Sequence, residues 1–254
     1  MTPRTVLVTG MSGLIGAAVR RHLGGAYSLR ALNRSAVAGI PCHQADITDL
    51  EGIRPAFEGV DAVVHLAAKA HSEAPFEELL RANVVGTYNV FEAARRAGVK
   101  RVVYASSGAV TGGYEAEMPY RALLAGEGAA VGDWPRISHT SPLRPRGIYG
   151  ASKIWGEALA RLYVDAHGLS ILCVRIGHVI AEDRPLSPRD YSVWCSQRDI
   201  ARMIDLCLKA PASLRFDIFY ATSDNRWGYR DLTHAEEVLG FRPQDAAEAH
   251  RDRR

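Results

Sequence analysis

Thr9-Gly10-Met11-Ser12-Gly13-Leu14-Ile15-Gly16 follows directly on the apolar run Thr5–Thr9 and opens an amphipathic stretch, Leu14–Leu23. Gly10 lets the chain turn tightly, Gly13 lets the backbone approach a pyrophosphate, and Gly16 lets a helix pack close to a strand. The start of that helix offers unpaired N–H groups and the positive end of a dipole to the same anion. Glycine spacing alone is a weak signal, and the strand–turn–helix context carries the reading. Gly10, Ser12, Gly13, Leu14, Ile15 and Gly16 are therefore expected to cradle a dinucleotide.

Outward from that turn, short apolar runs alternate with amphipathic ones. Strands are expected at Thr5–Thr9, Ser28–Leu32, Ala62–Leu66, Arg101–Ala105, Ser170–Arg175 and Phe216–Ala221. Consecutive apolar positions such as Val6-Leu7-Val8 suit strands buried on both faces of a parallel sheet. Helices are expected at Leu14–Leu23, Asp49–Phe57, Phe76–Ala97 and Gly150–His167, with left-handed stops at Gly24-Gly25, Gly98 and Gly168. Thr48-Asp49-Leu50-Glu51 has the form of a capping box with Thr48 as the cap. The alternation implies right-handed crossovers and a Rossmann-type, doubly wound α/β sheet. Residues 1–177 read as the dinucleotide-binding domain, and 178–254 as a small substrate-covering portion interleaved with the last core strand. Two long irregular stretches, 112–148 and 180–192, flank the expected chemistry and read as functional loops.

Composition excludes several classes. The chain has 254 residues, 31 basic and 28 acidic, for a formal charge of +3. That balance is too slight to imply a nucleic-acid or membrane partner, although Arg251, Arg253 and Arg254 make one end locally basic. Cys42, Cys173, Cys195 and Cys207 are widely spaced, which suggests neither a zinc site nor a disulfide scaffold and suits a reducing cytoplasm. No metal ligands are expected. No uncharged apolar run reaches membrane-spanning length, and the strand and turn at residues 5–16 leave no room for a signal peptide.

At the end of the second strand an acidic residue would accept from a ribose 2′-hydroxyl and select NAD. Asn33-Arg34-Ser35 stands there instead. Arg34 suits a 2′-phosphate, or else stacks as a solvated loop residue, and the reading leans slightly to NADP. Asp46-Ile47, after the third strand, places a carboxylate near an adenine amino group, and Leu66-Ala67-Ala68 ends the fourth with small residues for close cofactor packing. Tyr149 and Lys153 stand four apart, so on a helix they share one face. An ammonium there is expected to lower the phenol's pKa towards general-base range. A surface pair is the commoner explanation of that spacing alone, but here it follows a dinucleotide turn and a strand ending in Ser106-Ser107.

TGMSGLIG, HLAA, NVVGT, ASSGAVTG and YGASK, in that order over residues 5–177, resemble the extended short-chain dehydrogenase/reductase family, the sugar epimerase/dehydratase group. The resemblance implies Tyr149 as catalytic acid/base and Lys153 as its partner and holder of the nicotinamide ribose. It implies Ser107 as hydrogen-bond partner of the substrate hydroxyl, Asn83 as a structural or cofactor-side residue on its helix, and Ile176 on the cofactor side. The second half, with VRIG at 174–177, RDYSVWCS at 189–196 and GFRPQDAAE at 240–248, is similar to the uronate dehydrogenases. That similarity implies a substrate carboxylate held by Arg189, whose planar fork suits it, and a homodimer with contact or core residues Leu79, Val90, Ala158 and Leu162. Where that group has polar residues touching the sugar, this chain has Gly108, Ala109 and His178, so Gly108 and His178 are expected to line a roomier pocket.

The function expected is hydride transfer between NAD(P) and a hydroxyl or carbonyl of a sugar or sugar acid. A nucleotide-sugar epimerase is the alternative within the class, disfavoured by the short stretch after Arg175. A non-catalytic dinucleotide sensor is the alternative outside it, disfavoured by an intact Ser107, Tyr149 and Lys153.

Overall fold

The computed structural model describes residues 4–70 and 74–251; Arg253 and Arg254 lie outside the described residues. Strands β1 (Thr5–Thr9), β2 (Ser28–Asn33), β3 (Cys42–Gln44), β4 (Ala62–His65), β5 (Arg101–Ser107), β6 (Ser170–Ile176) and β7 (Phe216–Ala221) form one sheet in the order β3-β2-β1-β4-β5-β6-β7. Every pairing is parallel. Strand order reverses on either side of β1, which opens a crevice at the carboxyl ends of β1 and β4. β3 is the third strand assumed before Asp46, although apolar patterning gave it no bounds. It is a short edge strand with no buried residue, so it carries no apolar run.

Helices α1 (Leu14–Leu23), α2 (Leu50–Ile53), α3 (Phe76–Leu79), α4 (Gly86–Arg96), α5 (Tyr120–Ala125), α6 (Gly147–His167), α7 (Asp190–Val193), α8 (Gln197–Lys209) and α9 (Thr233–Leu239) fill the connections. One apolar layer packs β1, β2 and β6 side chains against α1 and α8 through Val19, Leu23, Ile200 and Ile204. The opposite layer packs Leu7, Val63 and Val102 against α4 and α6 through Val90, Phe91 and Tyr163. A third, aromatic cluster holds Tyr120, Leu123, Tyr191, Trp194, Trp227 and Tyr229 together and draws on both sides of residue 177, from the 112–148 segment as well as from the C-terminal residues.

Four local expectations change. The stretch 76–97 is not one α-helix: a π-helical turn, Leu80–Val85, separates α3 from α4. The cap of α2 is Asp49, whose side chain accepts from Gly52 N, and not Thr48. Thr48 N is already donated to Asp46 Oδ1 at 2.9 Å. Gly24 ends α1 with φ −62°, so no left-handed stop forms there, whereas Gly98 and Gly168 do adopt positive φ. The 112–148 stretch contains α5 and 3-10 turns at Gly108–Ala116 and Gly128–Ala130. Turn and aromatic packing, which have no simple period, hold it.

Candidate active site

A cleft of about 1310 Å³ runs over the carboxyl ends of β1, β4, β5 and β6. Pockets for single small ligands are typically ~300–1,000 Å³, so this one has room for a dinucleotide and a substrate together. Gly10, Ser12, Gly13, Leu14, Ile15, Gly16, Asn33, Arg34, Asp46, Ile47, Leu66, Ala67, Ala68 and Ile176 all line it. Gly10 sits at φ +73°, and a Cβ there would lie 2.8 Å from Ala67 N. Gly13 caps α1 with no side chain bonding the first turn, so those N–H groups face the cleft's anion position. Asn33 is buried and donates from Nδ2 to Ser12 Oγ at 2.6 Å, leaving its Oδ1 without a partner. A free buried acceptor beside a glycine turn fits a ribose hydroxyl, so these residues suit the dinucleotide they were expected to hold.

Asn83 is the exception. It is fully buried on the π-helical turn and does not line the cleft. Its Oδ1 accepts from Lys69 N at 2.8 Å, and its Nδ2 donates to Lys69 O and to Ser152 Oγ. It therefore ties the loop after β4 to α6.

Ser107, Tyr149 and Lys153 meet in the cleft: Ser107 ends β5, and the other two sit on α6. Lys153 is buried, donates from Nζ to Ala105 O at 2.8 Å, and lies 5.9 Å from the Tyr149 ring centre. Burial lowers its pKa to about 8, with Glu157 pulling it back up. The Tyr149 phenol is pushed up by burial, and the Ser107 hydroxyl is what draws it down. The Lys153 ammonium itself is engaged with the β5 backbone at the Ala105 carbonyl. Beneath the set, Glu157 and Arg175 form a buried pair at 2.8 Å, and Ser106 Oγ donates to Glu157 at 2.6 Å.

His65, at the end of β4, is fully buried between Thr9 Oγ1 (2.7 Å) and Thr87 Oγ1 (3.2 Å). Burial, and then Lys153, push its pKa down to about 3. An unfolded histidine protonates near ~6.5. Stability from the neutral ring is therefore complete above that pH and is lost as pH falls towards about 3. Urea unfolding between pH 7 and pH 4 should show this as a loss approaching ~1.4 kcal/mol per pH unit. His65→Asn should flatten that dependence; an equal slope in the variant would contradict it.

Arg189 lines the cleft with its fork paired to Glu115, to which Nη2 and Nε donate at 2.9 and 3.3 Å. Glu115, from the 112–148 segment, also takes Arg146 Nη1 at 2.8 Å and the Tyr229 hydroxyl at 2.7 Å. Burial alone would push that carboxyl up, but Arg189 and Arg230 outweigh it and hold it below its ordinary value. His178 is exposed on the cleft wall with Nδ1 2.7 Å from Asp190 Oδ1. Gly108 is buried at the wall and has no side chain to offer. Glu115, Arg146 and Arg230 line the cleft but were missed in the sequence, since no local motif marks them.

Away from the cleft, His139, Asp217 and His234 offer ligand atoms within 4.8 Å of one another, a grouping the sequence reading did not foresee. The two rings stack at 3.7 Å, and His234 Nε2 is 2.8 Å from Asp217.

The NAD-dependent glucose-6-phosphate dehydrogenase of Haloferax volcanii is 35% identical over 257 residues, covering 94% of this chain and 93% of that protein. The uronate dehydrogenase of Agrobacterium fabrum is 35% identical over 253 residues, covering 98% of this chain and 87% of that one. The crystal structure of uronate dehydrogenase from Agrobacterium tumefaciens superposes with a TM-score of 0.85 at 34% identity, covering all of this chain and 89% of that one. The pattern of the NAD-dependent epimerase/dehydratase family runs from residue 6 to residue 239, across the glycine turn, the catalytic helix and the last strand, and the chain belongs to that family.

Proposed function

We propose that this chain is an NAD(P)-dependent dehydrogenase of a sugar or sugar acid. The observation that carries the reading is the convergence of Ser107, Tyr149 and Lys153 on one cleft with the glycine turn. Ser107 orients the substrate hydroxyl and Tyr149 takes its proton. Lys153, with a pKa of about 8, exchanges protons near neutrality and supports the phenol. A bound nicotinamide supplies the hydride chemistry itself. A screen of aldoses, uronic acids and aldose phosphates for net nicotinamide reduction tests the reading; no reduction with any of them counts against it. An epimerase would show none at steady state.

Both cofactors fit this reading. The free Oδ1 of Asn33 accepts from a ribose hydroxyl, while exposed Arg34 offers a charge-assisted contact to a 2′-phosphate. Arg34→Ala should cut kcat/KM for NADP by roughly tenfold or more, at ~1.5–3 kcal/mol for a hydrogen bond to a charged group, and leave NAD unchanged. A strong preference for NAD, untouched by that substitution, would show that Arg34 faces only solvent.

A homodimer through α4 and α6 also belongs to this reading. Leu79 and Val90 are core residues, but Tyr88 and Leu162 are 44% and 55% exposed on those two helices. Light scattering at micromolar concentration should give twice the chain mass, and a monomer would remove the dimer. No helix among the described residues is long and apolar enough to cross a membrane. The four unpaired cysteines suit a reducing compartment, the cytoplasm.

A further inference from the structure

Arg230 is the buried cation that nothing above employs. Its side chain is 3% exposed, yet it lines the cleft. Among the described residues its Nε has no hydrogen-bond partner, and its nearest carboxylate oxygen, Glu115 Oε1, is 3.6 Å away, beyond hydrogen-bond reach. Glu115 is already taken up by Arg189, Arg146 and Tyr229. Three guanidinium groups thus surround one carboxylate, and the surplus positive charge falls on Arg230. Its plane is held from below by the rings of Tyr229 and Tyr220, at 5.2 and 5.9 Å. Space for it comes from Gly108, next to Ser107: any Cβ there would fall on the guanidinium itself. A buried charge without hydrogen bonds is costly unless something satisfies it, and the open side of this one is the substrate end of the cleft.

We infer that Arg230, not Arg189, receives an anionic group of the substrate, a carboxylate or a phosphate, and so selects acidic sugars. The inference rests on the sugar-dehydrogenase reading for the identity of the ligand but not for the existence of the anion site. Gly108 and Arg230 act as one unit, the missing side chain at 108 making the seat for the guanidinium. Arg189 and Arg146 hold Glu115, which keeps Arg230 from collapsing onto a closer partner.

The test compares glucose, glucuronate and glucose 6-phosphate on the full chain and on Arg230→Gln, Arg230→Lys and Gly108→Ala. Turnover is read with both cofactors, and binding is read separately as thermal protection by each sugar alone. The parent should prefer one or both anionic sugars by at least tenfold in kcat/KM, and the stronger of the two identifies the anion. Arg230→Gln should raise KM for that sugar by roughly 10- to 150-fold, the range for a hydrogen bond to a charged group at tenfold per 1.4 kcal/mol, with kcat and glucose turnover little changed. Arg230→Lys should restore part of the loss. Gly108→Ala displaces the guanidinium and should lose the same preference, which keeps the test decisive if Arg230→Gln does not fold. A neutral sugar preferred by the parent, or equal losses on all three sugars, overturns the inference while leaving the dehydrogenase reading standing. Thermal protection by an anionic sugar that depends on Arg230, without any cofactor reduction, supports the anion site and instead overturns the dehydrogenase reading.

Discussion

Tyr149→Phe is expected to lower turnover by ~10²–10⁴-fold, the range lost with a positioned general acid/base, while dinucleotide affinity stays within a few-fold. Tyr149 sits at the cleft between the substrate end and the glycine turn, and its hydroxyl is the group that Ser107 tunes. Removing one oxygen leaves the ring, α6 and the Lys153–Ala105 bond in place. Steady-state kinetics and cofactor titration by fluorescence separate the two effects. Activity within a few-fold of the parent would take the proton-transfer role away from Tyr149.

Glu157→Leu is expected to destabilise the fold by ~3–5 kcal/mol, the cost of leaving one member of a buried ion pair uncompensated. Arg175 is 2% exposed, and Glu157 supplies both of its carboxylate contacts, at 2.9 and 2.8 Å. The Ser106 hydroxyl would lose its acceptor as well. Against a typical domain stability of ~5–15 kcal/mol this is a large share. Glu157→Leu combined with Arg175→Met should recover much of the loss, since replacing both members by apolar groups removes the stranded charge. Urea midpoints of the single and double variants check this; a double variant no more stable than the single would show that the pair's hydrogen bonds, not the charge, dominate.

The parts of this molecule that were legible in its sequence are those encoded locally. The glycine turn, the four-residue spacing of Tyr149 and Lys153, and Ser107 at a strand end each lie within a few residues of their structural cause. The apolar strands that form the centre of the sheet declare themselves by unbroken burial. β3 does not, because an edge strand with no buried residue has no apolar signature. The π-helical turn around Asn83 is set by tertiary bonds to Lys69 and Ser152, which no helical period encodes. The substrate end was least legible. Glu115 meets Arg189 across 74 positions, and Arg230 rests in the space at Gly108 across more than a hundred. The Arg189–Glu115 pair and the seat of Arg230 are both set by tertiary contacts with no local motif around them.

Net hydride transfer from a sugar to the nicotinamide, with Tyr149 as base, is read by supplying a sugar deuterated on its carbinol carbons together with NAD or NADP and weighing both products by mass spectrometry. One deuterium should appear in the reduced nicotinamide for each sugar oxidised, accumulating with time and vanishing in Tyr149→Phe. A sugar that changes configuration while the nicotinamide pool stays oxidised and unlabelled would contradict it.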